Sequence, residues 1–357
     1  MRIFAILALV FAGCGSRSRN TRPSLESASR NTQPSLESAK RSVAIFHTVL
    51  AEKRLLYEST SKVEQMACPP RRFSLNGTEY WFQSDPFANG FGTSLYLTSD
   101  KTLVVKVMES DNLLEWLWRE AAAAAALNDL IVAKNLPSPQ LHQPTYNPAE
   151  VSRLCQLRMV TMDRAGMFNL DRLVNTYGYQ SPADVRKMAI VSLDTLEHVH
   201  SRGLLHGDIH AGNFVIEPLG DSRVRLSLID FGRARPYRDA HTGDHVSYGP
   251  TSPADHPSFI VLNAGVLSIF ELEEIRMSRR DDLFRLAEML VFLLEGDDSL
   301  YDGGEKIIVD RQAALQRKLY RKFSDRVPPE FVAFYRTTMR MGFAQDPDYE
   351  ALRATFS

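Results

Sequence analysis

Two short stretches, HGDIHAGNF at residues 206–214 and LIDFGRA at residues 228–234, constrain this chain more than anything else in it. The segment between them, NFVIEP then RVRLSLID around a GDS turn, reads as a pair of short strands. Asp208 then lies in a loop that follows a helix, Asn213 opens the first strand, and Asp230 ends the second. A hairpin brings its two ends side by side, so all three side chains can face one pocket. Taken alone, the first stretch also admits a histidine metal site or a polar turn. Reading it with DFG moves the weight from the histidines to Asp208 and Asn213.

Upstream the texture alternates. RFSLNGTEYWFQ (72–83), TSLYLTS (93–99) and TLVVKVM (102–108) are rich in β-branched and aromatic residues, with NG and SD turn signals. They predict antiparallel strands. NLLEWLWREAAAAAALNDLIVAK (112–134) predicts a helix from propensity alone, and CQLRMVTMD (155–163) another strand. After Gly166 the chain turns mainly helical. Residues 181–203 have Ser181 as cap, Pro182 at the first helical position and Gly203 at the end, and further helices fit 281–295 and 328–341. The expected fold class is therefore α+β and bilobal: a small antiparallel β lobe with one helix (70–165), then a larger, mainly α lobe (166–357), with a cleft near Met162–Gly166.

The N-terminal segment has a different character. Arg2 precedes a ten-residue apolar run, Ile3 to Ala12, and then GCGS. That is the length and flanking of a signal-peptide core (1–15) and too short to span a bilayer, so entry into the secretory pathway is expected. Residues 18–28, SRNTRPSLESA, recur almost unchanged as 29–39, SRNTQPSLESA. Such a polar repeat buries too little to offset its ordering entropy, so 16–41 reads as a disordered linker. Val43, Phe46, Val49 and Leu50 then recur at helical spacing, predicting a helical extension over 42–69.

Composition excludes several classes. With 42 basic against 43 acidic residues there is no electrostatic case for nucleic acid. The three cysteines, Cys14, Cys68 and Cys155, show no CxxC pair and no zinc spacing. Cys68 and Cys155 can pair in a secreted chain, or stay free and buried. Beyond the leader no run approaches the length of a membrane helix, and a monomer is expected. Asn76-Gly77-Thr78 is the one N-x-S/T sequon, a glycan site only in a secretory eukaryotic setting.

Phosphoryl transfer from ATP needs positioning and charge neutralisation more than covalent chemistry. The required parts are a backbone cover for the phosphates, a lysine held by a carboxylate, oxygen ligands for magnesium, and a base near the acceptor hydroxyl. Lys106 stands inside the apolar strand LVVKVM, where an ammonium is costly unless paired. Glu120 on the alanine-rich helix is the first candidate partner, Glu115 the second. Asn213 and Asp230 offer hard oxygen ligands suited to magnesium. His206 reads as a histidine that packs the loop.

HGDIHAGNF and IDFG resemble the catalytic loop and magnesium motif of the protein-kinase fold. More narrowly, IDFGRARPYRD and SRRDDLF (278–284) resemble the casein kinase 1 family of Ser/Thr protein kinases, over about residues 70–357. The resemblance implies ATP and Mg2+ as cofactors and a protein substrate. It implies that Asp208 orients the acceptor hydroxyl and accepts its proton, that Asn213 and Asp230 hold magnesium, and that Lys106, positioned by Glu120, binds the α- and β-phosphates. Met162 would guard the adenine pocket, with Asp163 to Ala165 as the hinge strip, and Asp282 would brace the catalytic loop from behind.

The phosphate cover falls on FANGFGTSLYL: Phe87, Ala88, Asn89, Gly90, Phe91, Gly92 and Thr93. Only Gly90, Gly92 and the Phe91 tip keep the family's pattern; Phe87 and Asn89 stand where glycines usually do. Gly207 replaces the arginine that usually docks an activation-segment phosphate. His210 replaces a lysine that usually contacts the transferred phosphate. HGDxHxGN also resembles the loop of small-molecule kinases, and the eroded glycine pattern leaves a pseudokinase scaffold as a further alternative. HVSYGPTSPADHPSF (245–259) falls where a substrate-binding segment should lie.

Overall fold

The computed structural model describes residues 35–60, 71–90, 92–128, 141–142, 145, 152–166, 168–220, 223–251, 264–296 and 310–357. Its strand-rich part is built round β5 (Leu103–Met108), which is buried along its whole length. Five antiparallel strands run β3 (Ala88–Gly90), β4 (Thr93–Leu97), β5, β7 (Met159–Asp163) and β6 (Leu141–His142) across the sheet. A separate hairpin, β1 (Arg72–Leu75) and β2 (Thr78–Trp81), turns on Asn76 and Gly77, both at positive φ. Alternation along β5 decides what each face does. Leu103, Val105 and Val107 pack with Phe73, Cys155 and Met159 on one side, while Val104 packs with Leu97 and Met162 on the other. Lys106 shares the face of Val104 and so looks toward the cleft.

Against the sheet lies α2 (Leu114–Asn128), entered through a 3-10 turn at Asp111–Leu113. Ala122, Ala123 and Ala126 are fully buried, and their small side chains let α2 approach its neighbours closely. Trp118 Nε1 donates to the Leu157 carbonyl at 2.9 Å. The rest of the predicted helix, residues 129–134, lies outside the described residues.

A long helix, α1 (Leu36–Glu58), packs on both lobes. Val43, Phe46 and Leu50 join the same apolar cluster as Leu114, Leu117 and Trp118 of α2 and Leu196, Val199 and Leu204 of the helical lobe. Gly203 permits this. Its φ is +75°, and a Cβ there would stand 2.8 Å from Val43 Cγ2. Helix α1 begins earlier than the linker boundary at residue 41 predicts. Ser35 caps it through a hydrogen bond from Ser38 N, Leu36 lies against Gly243, and Arg202 donates to Ser38 Oγ at 3.3 Å. Those partners are distant in sequence, so the polar composition of the repeat conceals them. A second correction concerns residues 155–158: Ser152 caps a short helix, α3 (Arg153–Leu157), and the strand starts only at Met159.

The helical lobe carries β8 (Phe168–Asn169), α4 (Leu170–Tyr177), α5 (Pro182–Ser201), β9 (Leu204–Leu205), β10 (Phe214–Gly220), β11 (Arg223–Leu228) and β12 (Arg235–Pro236). After these come α6 (Ile269–Leu272), α7 (Arg279–Glu295), α8 (Arg311–Leu319), α9 (Pro329–Arg340) and α10 (Tyr349–Ala354). The predicted hairpin is present: β10 pairs antiparallel with β11 from Phe214–Leu228 outward. Helix α7 is buried on all sides over Arg279–Leu294, charged residues included. The fold is thus mixed α+β, with a β-rich lobe and a helical lobe, as the sequence predicts. No helix among the described residues is long and apolar enough to cross a membrane.

Candidate active site

Lys106 is where the sheet meets the cleft. Its Nζ lies 2.9 Å from Glu120 Oε2 and 2.8 Å from Asp230 Oδ1, joining β5, α2 and the end of the hairpin. Burial alone would pull the ammonium's pKa down, but Asp230 and Glu120 outweigh it and hold it above the ordinary lysine value. Burial pushes Glu120 up, with Lys106 opposing. Glu115, the second candidate, faces away and pairs with Arg54 and Arg119. Asp230 sits at φ +64°, a left-handed conformation that turns its carboxylate back over the 3-10 turn Phe231–Arg233, where Oδ1 accepts from Gly232 N.

Facing this group is the loop after β9. Asp282, buried on α7, accepts from His206 N at 2.8 Å and Gly207 N at 2.9 Å, and His200 Nε2 lies 2.9 Å from it. His206 spans the loop: its Nδ1 accepts from Asp208 N, and its Nε2 reaches the Ile229 carbonyl at 3.1 Å. Burial holds His206 below the usual histidine range, and its ring meets Phe231 edge-on, so it is a packing group.

The Asp208 carboxylate is engaged on both oxygens. Arg233 and Arg285 each donate to Oδ1 at 3.2 Å. Asn213 Nδ2 lies 3.3 Å from Oδ2 and 2.9 Å from the Asp208 carbonyl. Burial pushes this carboxyl up, but His210, Arg233 and Arg285 outweigh it and hold it well below the usual carboxylate range. His210 Nε2 stands 3.6 Å from Oδ2, while its Nδ1 accepts from Gly212 N at 3.1 Å. In the neutral ring that bond places the proton on Nε2, the nitrogen that faces the cleft.

Magnesium fits this donor set. The two hydrogen bonds from Asn213 Nδ2 turn its amide oxygen away from Asp208, and both bonds to Asp230 fall on Oδ1, leaving Oδ2. Two hard oxygens are what such an ion takes from protein when phosphates and water complete its shell. Among the described residues no group of three or more His, Cys, Asp or Glu side chains forms a metal cluster.

The remaining predicted positions that are described lie on or beside the five-stranded sheet. Met162 on β7 is buried beside Leu97 and Val104. Asp163 takes His142 Nε2 at 2.7 Å, and Arg164 N donates to the Thr102 carbonyl, so the strip to Ala165 and Gly166 is tied to the sheet. Gly166 backs onto β10 so tightly that a Cβ would meet the Ile216 carbonyl at 2.4 Å. Ala88, Asn89 and Gly90 form β3, paired with Thr93, Ser94 and Leu95 of β4, and Leu95 pairs in turn with Lys106. Phe87 is half exposed at the base of that hairpin, and Gly92 has φ +62°. Phe91 lies outside the described residues.

Sequence reasoning missed Arg233, Glu271, Arg285 and His200. A lone cation at 285 inside the apolar run LFRLAEMLVFLL was the available signal. Such a cation demands a buried partner.

Residues 102–247 match the family described as the ABC1 atypical kinase-like domain. The chain is also 30% identical over 210 residues to Casein kinase 1-like protein HD16 of Oryza sativa subsp. japonica, a match covering 57% of this chain and 28% of that relative. The chain thus matches little more than a quarter of that relative's length. Fold, cleft and similarity agree on one coarse statement: this chain carries a protein-kinase-like domain.

Proposed function

We propose that the chain transfers the γ-phosphoryl group of ATP to a hydroxyl, and that the acceptor is a Ser or Thr of a protein. The observation that carries the reading is the formed contact of Lys106 with Glu120 and Asp230, opposite Asp208 and Asn213. A buried ammonium is costly unless paired, and here carboxylates from α2 and from the end of the hairpin both pair it. Lys106 binds the α- and β-phosphates, the β3–β4 hairpin covers them, and Met162 with Asp163–Ala165 borders the base. The acceptor oxygen bonds to the γ-phosphorus while the bond to the β,γ-bridging oxygen breaks and ADP leaves. The hydroxyl proton passes to Asp208 Oδ2. His210 Nε2–H donates to the transferred phosphoryl group. Asn213 Oδ1 and Asp230 Oδ2 would hold magnesium, which supplies charge neutralisation at the phosphates.

A protein acceptor is supported by the partial match to a casein kinase 1-like protein and by SRRDDL. A second reading, a small-molecule acceptor, is favoured by HGDIHAGN and by the match to an atypical kinase-like domain. Labelled ATP offered with acidic proteins and, separately, with amino-alcohol and sugar acceptors separates them. Label on protein Ser or Thr alone supports the first; label on small molecules alone overturns it.

We also infer entry into the secretory pathway. The apolar run after Arg2 supports it, as does the disulfide at Cys155, a bond that persists in oxidising compartments. Cys68 lies outside the described residues. N-terminal sequencing of the mature chain tests this: a start at Met1 would contradict it.

A further inference from the structure

Four charged side chains close a ring beneath the catalytic loop. Arg285 on α7 donates from Nε and Nη2 to the two oxygens of Glu271 on α6, at 2.8 and 2.7 Å, and from Nη1 to Asp208 at 3.2 Å. Arg233, in the turn after Asp230, reaches the same two carboxylates through Nη1 and Nη2, at 3.2 and 3.4 Å. Each guanidinium thus bridges Asp208 and Glu271, and the ring ties together the loop after β9, the Asp230 turn, α6 and α7. Glu271 is further fixed as the acceptor of Ser268 N in the capping box of α6.

Stability does not account for this arrangement. Glu271 and Arg285 are almost wholly enclosed. Apolar residues of similar volume in place of such a buried ionic group are often neutral or more stable. What the ring does is geometric. Two planar forks converge on Oδ1 from different elements and fix the carboxylate's orientation, which sets Oδ2 beside Asn213 and His210.

Gly207 belongs to the same device. Its φ is +76°, and a Cβ would stand 2.6 Å from the Arg233 carbonyl. Any side chain there would lift the Arg233 turn off the loop. The arginine missing at 207 is therefore replaced by cations from two other elements, neither of which needs a phosphate.

We propose that Arg233, Arg285 and Glu271 act as a positioning clamp that sets Asp208 for its acceptor hydroxyl without a phosphorylated activation segment. The proposal rests on the phosphoryl-transfer reading above.

The test uses the full chain, stripped of phosphate by a phosphatase, with γ-labelled Mg·ATP and an acidic protein acceptor. Wild type keeps its rate within about two-fold after stripping. Arg285→Met lowers kcat about a hundred-fold while KM for ATP stays within about three-fold. Its melting temperature falls, because Glu271 stays buried with Arg233 as its one remaining cation, so both readouts are taken on protein shown to be folded. Arg285→Lys, which keeps the charge, recovers about ten-fold of the loss. If Arg285→Met does not fold, Arg233→Met reports on the same carboxylate from the turn side, with the same split expected. A folded methionine variant with wild-type kcat, or a wild type silenced by the phosphatase, overturns the clamp. A wild type that transfers no label before or after stripping overturns the phosphoryl-transfer reading and the clamp with it.

Discussion

Glu120 on α2 holds the ammonium of Lys106 on β5 at 2.9 Å, and both side chains are buried. The pair places a rigid positive charge at the mouth of the cleft and makes the position of α2 a condition for it. Lys106→Met removes the charge and leaves Glu120, already pushed up by burial, free to protonate. The variant should fold, lose at least about a hundred-fold in ATP-dependent transfer, and show no thermal shift with Mg·ATP, where wild type rises by several degrees at saturating ligand. An equal shift in both would show that Lys106 does not meet the nucleotide.

Helix α1 clamps the helix that carries Glu120. Phe46 is buried between the lobes, Tyr57 packs on Trp118 at 5.5 Å, and Arg54 pairs with Glu115 at 2.9 Å. Phe46→Ala should cost about 3–5 kcal/mol of stability. Tyr57→Ala, at the end of α1, should cost less yet raise amide exchange along α2 and lower kcat. Unchanged exchange in α2 would mean that α1 is packing alone.

At Gly207 the backbone conformation and the neighbour both exclude a side chain. Gly207→Ala meets a left-handed penalty of about 1–2 kcal/mol besides the 2.6 Å approach to the Arg233 carbonyl. Urea unfolding should show a loss of at least that size, and transfer should fall with it.

Asp281 gives a pH signature of the core. It accepts from Ser278 N at 2.8 Å and from Ser268 Oγ, and burial with the nearby Glu271 pushes its carboxyl up to about 7. Its unfolded value is about 3.9. A raised folded pKa means the group binds its proton more tightly when folded, so its contribution is complete below about pH 4 and lost as pH rises through about 7. Wild type should therefore lose stability relative to Asp281→Asn between about pH 4 and 7, by at most about 1.4 kcal/mol per pH unit. Parallel stability curves would contradict this. The difference between the two proteins is the quantity to follow, because His198, lowered by burial to about 4, acts in the opposite sense at acid pH.

The parts that could be read from residues alone are those whose meaning is local. Lys106 stood out as a cation in an apolar strand, and Asp208, Asn213 and Asp230 are set by one loop and one hairpin. His206 packs the loop, between the Asp208 N–H, the Ile229 carbonyl and the Phe231 ring. The start of α1 could not be read, because its contacts, Leu36 against Gly243 and Ser38 with Arg202, come from far along the chain. Nor could the clamp: Arg233 and Glu271 meet across 38 residues of sequence, and Arg285 joins them from within the run LFRLAEMLVFLL. Residue types advertise short-range pairing. Buried ionic networks are closed by tertiary contacts.

Everything proposed for the site depends on phosphoryl transfer at Asp208. The most direct measurement is label transfer from γ-labelled Mg·ATP by wild type beside Asp208→Asn, with both proteins shown to be folded and to bind Mg·ATP. Transfer by wild type is expected, with a loss of about 10²–10⁴ in the variant and nucleotide binding kept. Equal rates in the two proteins, or none in a wild type that binds ATP, would contradict it.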